Sequence, residues 1–365
     1  MGSGGGARAD LSNAEVAELL ALEAEKAEGQ VRMALKRAAR LSFIWPIEIT
    51  ELLCRGESLT SLPGIGRFLE KRIQNWVESG TRPSPPPAIR RDFLTILEAK
   101  RILAREPNWR TGYRGDLQMH TTWSDGSGTI HEMADAALQL DYSYIGITDH
   151  SKGLKIAGGI NEGHLERQRI EIDAVNNDLR ARPFRVLHGV ELNLNPHGEG
   201  DMNPGVLARL DFVVGSFHSA LRRVGDQTGR YLAALENPDI QILGHPRGRI
   251  YNHRAGLEAD WPRVFAKAAA LDKAVEIDAY PDRQDLNVEL LRMAKREDVR
   301  IAIDTDAHAP GQLPFAELGL AAAARAGIPR DRLINFMSLP ALLKWVQHVR
   351  SCARRARGTF ALEST

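Results

Sequence analysis

The chain has 365 residues, 43% of them hydrophobic, which suits one large domain beside a small one and excludes disorder as the starting expectation. Its 48 Lys and Arg nearly cancel its 47 Asp and Glu, so a net charge of +1 gives no bulk-charge argument for nucleic acid or membrane surfaces. Cys54 and Cys352 are too few for a disulfide framework or a thiolate metal site, and no apolar run reaches the roughly 18 residues of a membrane span; a reducing, cytoplasmic setting without membrane partners is expected.

Residues 1–10 open with glycine and serine, lack the regions of a signal peptide, and read as a flexible tail. From Ser12 to Gly29 the run is rich in Ala, Leu and Glu, with Val16, Leu19, Leu20 and Glu23 at helical spacing and Ser12 or Asn13 as cap. A second helix is predicted over Val31 to Ala39, a third over Ile47 to Arg55, and a pair of short helices over Leu59 to Gly80, broken at Pro63-Gly64-Ile65-Gly66. Residues 11–82 are thus expected to form a helical domain. Arg82-Pro-Ser-Pro-Pro-Pro-Ala88 cannot continue a helix and stiffens toward polyproline II, so residues 83–112 read as a linker with one basic connecting helix, Arg90 to Arg105. Between Gln30 and Arg110 there are 15 Lys and Arg against 8 Asp and Glu, so the first part of the chain is basic although the whole is not.

After Tyr113 strands and helices alternate. Apolar runs at Asp116 to His120, Tyr144 to Thr148, Arg185 to Glu191, Asp211 to Phe217, Ile240 to His245, Ala274 to Asp278 and Ile301 to Thr305 predict seven strands in βα order, hence a parallel barrel or a doubly wound sheet over residues 113–350, followed by a tail over 351–365.

Candidate ligands fall at the ends of these strands. His120 closes the first, with Asp125 in the following loop; His150 closes the second, Glu191 the third, His218 the fourth and His245 the fifth, and Asp306 and His308 follow the last. In a βα barrel the C-terminal strand ends share one face, so these eight side chains are expected to meet in one pocket, and residues two apart on a strand would let Asp306 and His308 point the same way. A single buried histidine is usually a satisfied core residue, whereas five with three carboxylates at six strand ends would leave costly buried charges unless they share cations. Mixed imidazole and carboxylate donors suit zinc, manganese or iron better than calcium. Such ions activate water and steady the attacking and leaving oxygens of a phosphate ester. His131, His164, His188 and His348 read as surface, loop or core residues, with His197 and His253 placed to touch substrate.

The segments Asp116-Leu-Gln-Met-His-Thr-Thr-Trp-Ser-Asp-Gly126, Ile147-Thr-Asp-His-Ser151, Gly189-Val-Glu191, Ser216-Phe-His218, Gly244-His-Pro246 and Thr305-Asp-Ala-His308 resemble, in order, the motifs of the PHP (polymerase and histidinol phosphatase) superfamily. The resemblance covers about Arg114 to Arg350 and implies an α/β fold, a distorted (β/α)7 barrel holding three divalent ions, Mn2+ or Zn2+ with Fe2+ or Mg2+ as further candidates. Carried over by position, it implies one ion on His120, Glu191 and Asp306, a second on Glu191, His218 and His245, and a third on Asp125, His150 and His308, with Asp306, His308 and Glu191 as the catalytic set. Where the general pattern has His-x-His, this chain has Gln118-Met119-His120, so Gln118 is a weak ligand or a partner of the ligands. That glutamine, Asp149-His-Ser-Lys152, Ala157-Gly-Gly159, Glu276-Ile-Asp278 and Asp226-Gln-Thr228 are similar to the C-terminal PHP domains of bacterial family X DNA polymerases. Lys152, Lys155 and Arg247 lie beside these motifs, placed to hold substrate phosphates.

Leu62-Pro-Gly-Ile-Gly66, followed by Arg67, Lys71 and Arg72, resembles a helix-hairpin-helix, whose glycines Gly64 and Gly66 let backbone N–H groups approach a DNA phosphate without reading bases. Residues 11–80 resemble the small N-terminal domain of the same polymerases, but Arg72 stands where a lyase lysine is sometimes found, and no room remains for a polymerase palm. The expectation is a 3′–5′ exonuclease or 3′-phosphatase acting on DNA ends through a metal-bound hydroxide, with Asp306 or a water protonating the leaving oxygen. The alternatives are a small-molecule phosphatase of histidinol-phosphate or nucleotide type, and a DNA-binding scaffold with structural metals. Oligomeric state is not encoded in any of these patterns.

Overall fold

The structure, a computed structural model, describes residues 10–363. The expected N-terminal tail lies outside the described residues apart from Asp10, as do residues 364 and 365. The chain begins with α1 (Asn13–Lys26), α2 (Gly29–Leu41), α3 (Ile49–Cys54) and α4 (Arg67–Glu78). A capping box starts α1: the Ser12 hydroxyl accepts from Glu15 N at 3.2 Å, and the Glu15 carboxylate accepts from Ser12 N at 2.9 Å. Leu20, Leu35, Trp45, Ile49, Leu59 and Ile73 are fully buried in a core of their own, each contributing about 1.5–3 kcal/mol. The Trp45 indole donates to Pro63 O at 3.0 Å, which ties the hairpin turn to that core.

The connecting segment differs from expectation. Arg90 ends a short 3₁₀ turn (Ala88–Arg90) and the helix α5 covers only Ile96–Arg105, opened by a second capping box on Thr95 and Glu98. The Arg90 guanidinium is buried against the Glu18 carboxylate, at 2.9 Å. It also reaches Glu25 at 2.5 Å and Asn252 at 3.0 Å. Tyr251, from the far part of the chain, packs edge-on against both Phe43 and Phe93, with ring centroids at 4.8 and 5.2 Å, in a cluster where the two phenyl rings also touch each other at 5.8 Å. The helical unit is therefore packed onto the rest of the molecule.

After α6 (Asn108–Gly112) the strands alternate with helices: β1 (Gly115–Met119), α7 (Ile130–Gln139), β2 (Tyr144–Ile147), α8 (Glu162–Asp178), β3 (Arg185–His188), β4 (Glu191–Asn193), α9 (Pro204–Leu207), β5 (Val214–Ser216), α10 (Thr228–Glu236), β6 (Ile242–Leu243), α11 (Trp261–Ala270), β7 (Ala274–Asp278), α12 (Val288–Arg296), β8 (Arg300–Asp304), α13 (Ala316–Ala326) and α14 (Leu339–Glu363). The predicted single run from Arg185 to Glu191 is one strand bent at Gly189-Val190: β3 pairs with β2, and β4 pairs with β5. Counting it once, seven parallel strands follow one another in order.

The strands hydrogen-bond as two parallel sheets, β1 to β3 and β4 to β8, which meet at the Gly189-Val190 bend, and β8 approaches β1 across a distorted seam. Met119 bridges Ala307, but further down the carboxylates replace carbonyls as acceptors: Asp304 accepts from Leu117 N at 2.7 Å, and Asp116 accepts from Thr305 N at 3.3 Å. Asn335 plugs the lower end of the seam, donating to Gly115 O and Ile303 O, both at 2.9 Å. Inside, Leu117, Tyr144, Leu187, Phe212 and Ile242 fill the barrel floor against Trp345 and Val346 of α14. A tail over 351–365 was expected, yet α14 continues to Glu363.

Candidate metal centre

At the C-terminal mouth of the barrel the eight predicted side chains meet. Glu191 is at the middle and has no accessible surface. Its carboxylate oxygens lie 2.6 Å from His150 Nδ1, 2.7 Å from His245 Nε2, 3.4 Å from His218 Nε2 and 3.7 Å from His120 Nε2. Asp125, half exposed on its loop, stands 3.5 Å from His150 Nε2 and 3.4 Å from His308 Nε2. His120 stacks against His150 and His308 at centroid distances of 4.2 and 4.4 Å. Two groups have donor atoms mutually within 4.8 Å: His120, Asp125, His150 and His308, and His150, Glu191 and His218.

Several of these atoms are buried without a well-formed hydrogen bond: His120 Nδ1, His218 Nε2 and Gln118 Oε1 have no partner, and His150 Nδ1 and Glu191 Oε2 face each other at 2.6 Å without hydrogen-bond geometry. Leaving so many donors and acceptors unmet costs free energy unless a further group satisfies them, and a divalent cation does so for imidazole and carboxylate together. The far nitrogens agree. His308 Nδ1 donates to the Asp306 carbonyl at 2.7 Å and His218 Nδ1 to Asn193 Oδ1 at 3.2 Å. In the neutral imidazole each bond fixes the tautomer whose Nε2 lone pair faces the pocket. The residues fit a divalent-metal centre on these grounds.

Electrostatics follow from the packing. Burial pushes the Glu191 carboxyl up, but His218 and His150 outweigh it and hold it well below its usual range. Burial opposes the charge on His245 and His308, yet Glu191 raises the first to about 9, and Asp125 with Asp306 raises the second to about 9. Asp306 is buried and bonded to His120 Nε2 at 2.9 Å and to the Arg283 guanidinium. Against the effect of burial, Arg283 and His120 hold its carboxyl far below the carboxylate range.

The route by which Asp306 and His308 meet also differs from expectation. β8 ends at Asp304, and Asp306 adopts a φ of +51°, so a left-handed turn brings the pair together where strand alternation was expected. Gln118 turns its amide nitrogen, not its oxygen, to Glu191 Oε1, at 3.1 Å, and so acts as a partner of that carboxylate. Lys152 pairs with Glu162 at 2.7 Å, Lys155 is exposed, and Arg247 gives its guanidinium to Ala255 O at 3.0 Å. His197 and His253 are exposed, whereas His188 is a core residue bonded to Gln168 at 3.1 Å.

In the hairpin, Gly64 and Gly66 are exposed and Gly66 precedes α4 with no side chain capping that helix. Arg67 and Lys71 are exposed too, but Arg72 is paired with Glu23. Side chains not foreseen are Arg283, Asn193 and Asp149. Asp149 accepts from Thr121 N at 2.8 Å, Ser124 Oγ at 2.5 Å and Gln168 Nε2 at 2.6 Å, which fixes the loop bearing Asp125. A spacing signal existed only for Arg283, in Asp278-x4-Arg283, and it carries no general meaning.

Among curated proteins, the DNA polymerase/3′-5′ exonuclease PolX of Bacillus subtilis is 39% identical over 227 residues, covering 62% of this chain; the match spans 40% of that protein's length. A probable phosphatase of Thermoanaerobacter sp. is 27% identical over 232 residues, 60% of this chain and 89% of the relative. Among solved structures, histidinol phosphate phosphatase from Lactococcus lactis, complexed with zinc, L-histidinol and phosphate, aligns with a TM-score of 0.47 and 16% identity over 60% of this chain and 95% of its own. The PHP domain family model matches residues 116–306, more than half the chain. That match begins on β1 beside His120 and ends on Asp306, so it takes in the whole ring of strands that presents the pocket, and the chain belongs to the PHP domain family.

Proposed function

We propose that this chain is a metal-dependent phosphoester hydrolase acting on DNA ends, as a 3′–5′ exonuclease or 3′-phosphatase. The observation that carries the hydrolase reading is the convergence of unpartnered imidazole and carboxylate atoms around Glu191 at the mouth of a PHP barrel. The DNA reading rests on the helix-hairpin-helix-like unit docked beside that mouth and on the similarity to PolX.

His120, Asp125, His150 and His308 would hold one divalent ion, and His150, Glu191 and His218, with His245 against the same carboxylate, a second. The expected third position, on His120, Glu191 and Asp306, competes with Arg283 for the Asp306 carboxylate. Bound divalent ions supply an activated water and positive charge for the phosphate oxygens. The chain's own residues orient the rest. Asn193 and the Asp306 carbonyl set the His218 and His308 tautomers, Asp149 fixes the Asp125 loop, and Lys155 offers an exposed charge to an entering phosphate. Gly66, Arg67 and Lys71 at the start of α4 would hold the DNA backbone through N–H groups and charge.

Purified protein with manganese should release nucleotides or phosphate from a labelled single strand, a recessed 3′ end or a 3′-phosphorylated oligonucleotide. Inertness toward all three overturns the DNA assignment. The second reading, a small-molecule phosphatase, is favoured by the match along 89% of a protein named a probable phosphatase. Phosphomonoester turnover that DNA competitor leaves untouched would select it.

A further inference from the structure

The positive charge of the helical unit is not spread evenly. On α2, Arg32, Lys36 and Arg40 recur every fourth residue and share one face, a step of about 6 Å along the helix. The end of α2 reaches the barrel: Arg40 Nη1 lies 3.8 Å from Asp282, whose neighbour Arg283 is bonded to Asp306 in the pocket. Near the same end of α2 stand Arg222, after β5, and His253 and Arg254, after β6. Arg222 Nη2 is 2.9 Å from His253 Nε2. Partial burial, then Arg222, Arg254, Lys36 and Arg40, hold the His253 imidazole below its ordinary value, which places all four cations within electrostatic reach of one ring.

A second observation concerns apolar groups. Val31, Met33, Phe68 and Val224 are among the large hydrophobic side chains most open to water, the last at 97% exposure. Met33 lies three residues before Lys36 and so beside it on α2, and Val224 follows Arg223, so apolar groups stand next to cations on the same elements. A duplex, with its bases stacked inside, would leave these groups facing water or phosphate. An unpaired strand offers base faces to them while its phosphates meet the cations.

We propose that a single-stranded polynucleotide lies along this face, over α2 and the loops of Arg222 and His253, and enters the barrel mouth with its end. This rests on the DNA-end reading above and specifies the form of the substrate.

The test is fluorescence anisotropy of a labelled oligothymidylate at several salt concentrations. It compares wild type, the triple reversal Lys36→Glu, Arg40→Glu and Arg222→Glu, and a charge-matched control, Arg180→Glu, Arg182→Glu and Arg185→Glu. The control residues precede or open β3, at the opposite end of the strands from the mouth. The triple variant should bind at least about tenfold more weakly, with a log–log salt slope shallower by about 2, since single-strand contacts count roughly 0.7 each, while the control binds like wild type. Circular dichroism and the melting temperature report folding. Should the reversal unfold the chain, Lys36→Gln with Arg222→Gln carries the same comparison, with a slope shallower by about 1. Equal weakening in variant and control, or none in either, overturns the path while wild-type binding keeps the DNA reading intact. A wild-type protein that binds no oligonucleotide overturns both.

Discussion

Four imidazoles stand within 3.7 Å of the Glu191 carboxylate, and what makes them ligand-like is settled on their far sides. Asn193 is the plainest case, since its one contact with His218 Nδ1 decides which nitrogen faces the pocket. Asn193→Ala should leave the fold intact but lower metal affinity by roughly 10–100-fold, the usual effect of removing a group that orients a ligand. Competition with a fluorescent chelator would measure it, and full affinity in the variant would show that His218 needs no such support. His188 makes a second case, away from the ligands. Burial, then Arg169, pushes its imidazole down to about 4, and it is bonded to Gln168, which in turn holds Asp149. An unfolded histidine takes its proton near pH 6.5 and the folded one only near 4, so stability is complete above 6.5 and is lost as the pH falls between those values, by up to about 3 kcal/mol. His188→Gln should flatten that part of the urea-midpoint profile relative to wild type. The candidate ligands stood out in the sequence because strand ends advertise themselves by apolar runs that stop at a polar residue. Asn193, Asp149 and Arg283 could not, because each matters through a partner distant in sequence or on another element.

At the level of elements, periodicity located the seven strands but not their irregularities. The bend at Gly189-Val190 leaves the run apolar throughout, so nothing in its pattern marks the switch of partners from β2 to β5. Likewise Asp306 reads as an extension of β8, and only its φ of +51° reveals a turn. The helix expected from Arg90 starts later, at Ile96, where the Thr95 and Glu98 capping box opens it, while Arg90 ends a 3₁₀ turn with its side chain paired to Glu18. The hairpin shows how far a motif can be read. Gly64 has a φ of +84°, which L side chains rarely adopt, and a Cβ there would also push aside the end of the Leu41 side chain on α2, at 2.7 Å, so the backbone of the turn calls for glycine whatever it does for DNA. Gly64→Ala should cost about 1–2 kcal/mol and lower the melting temperature by several degrees. Gly66 has open space around the same atom and an extended φ of −103°, so Gly66→Ala should leave stability within about 0.5 kcal/mol. Equal losses in both variants would show that the turn is not held against α2 in this way.

Across the whole molecule, composition separates a basic helical part from the rest, and it suggests two independent bodies joined by prolines. The packing joins them instead. Arg90 and Glu18 have side-chain exposures of 4% and 6%, and Tyr251 from the barrel is part of the helical core. No pattern in the sequence announces this, because the partners lie 72 and 162 residues from Arg90. The Arg90 contacts to Glu18, Glu25 and Asn252, with Tyr251, hold the helical unit against the barrel. Arg90→Met removes the guanidinium but fills much of its volume, leaving the Glu18 carboxylate buried without its partner, a loss that usually costs 3–5 kcal/mol. Calorimetry should then show the helical unit melting ahead of the barrel, and limited proteolysis should cut within residues 82–88 faster than in wild type. Adding Glu18→Gln should recover part of the loss, because a neutral amide is cheaper to bury than an unpaired carboxylate. A single unshifted transition in Arg90→Met would mean that Tyr251 and its aromatic neighbours hold the two parts together unaided.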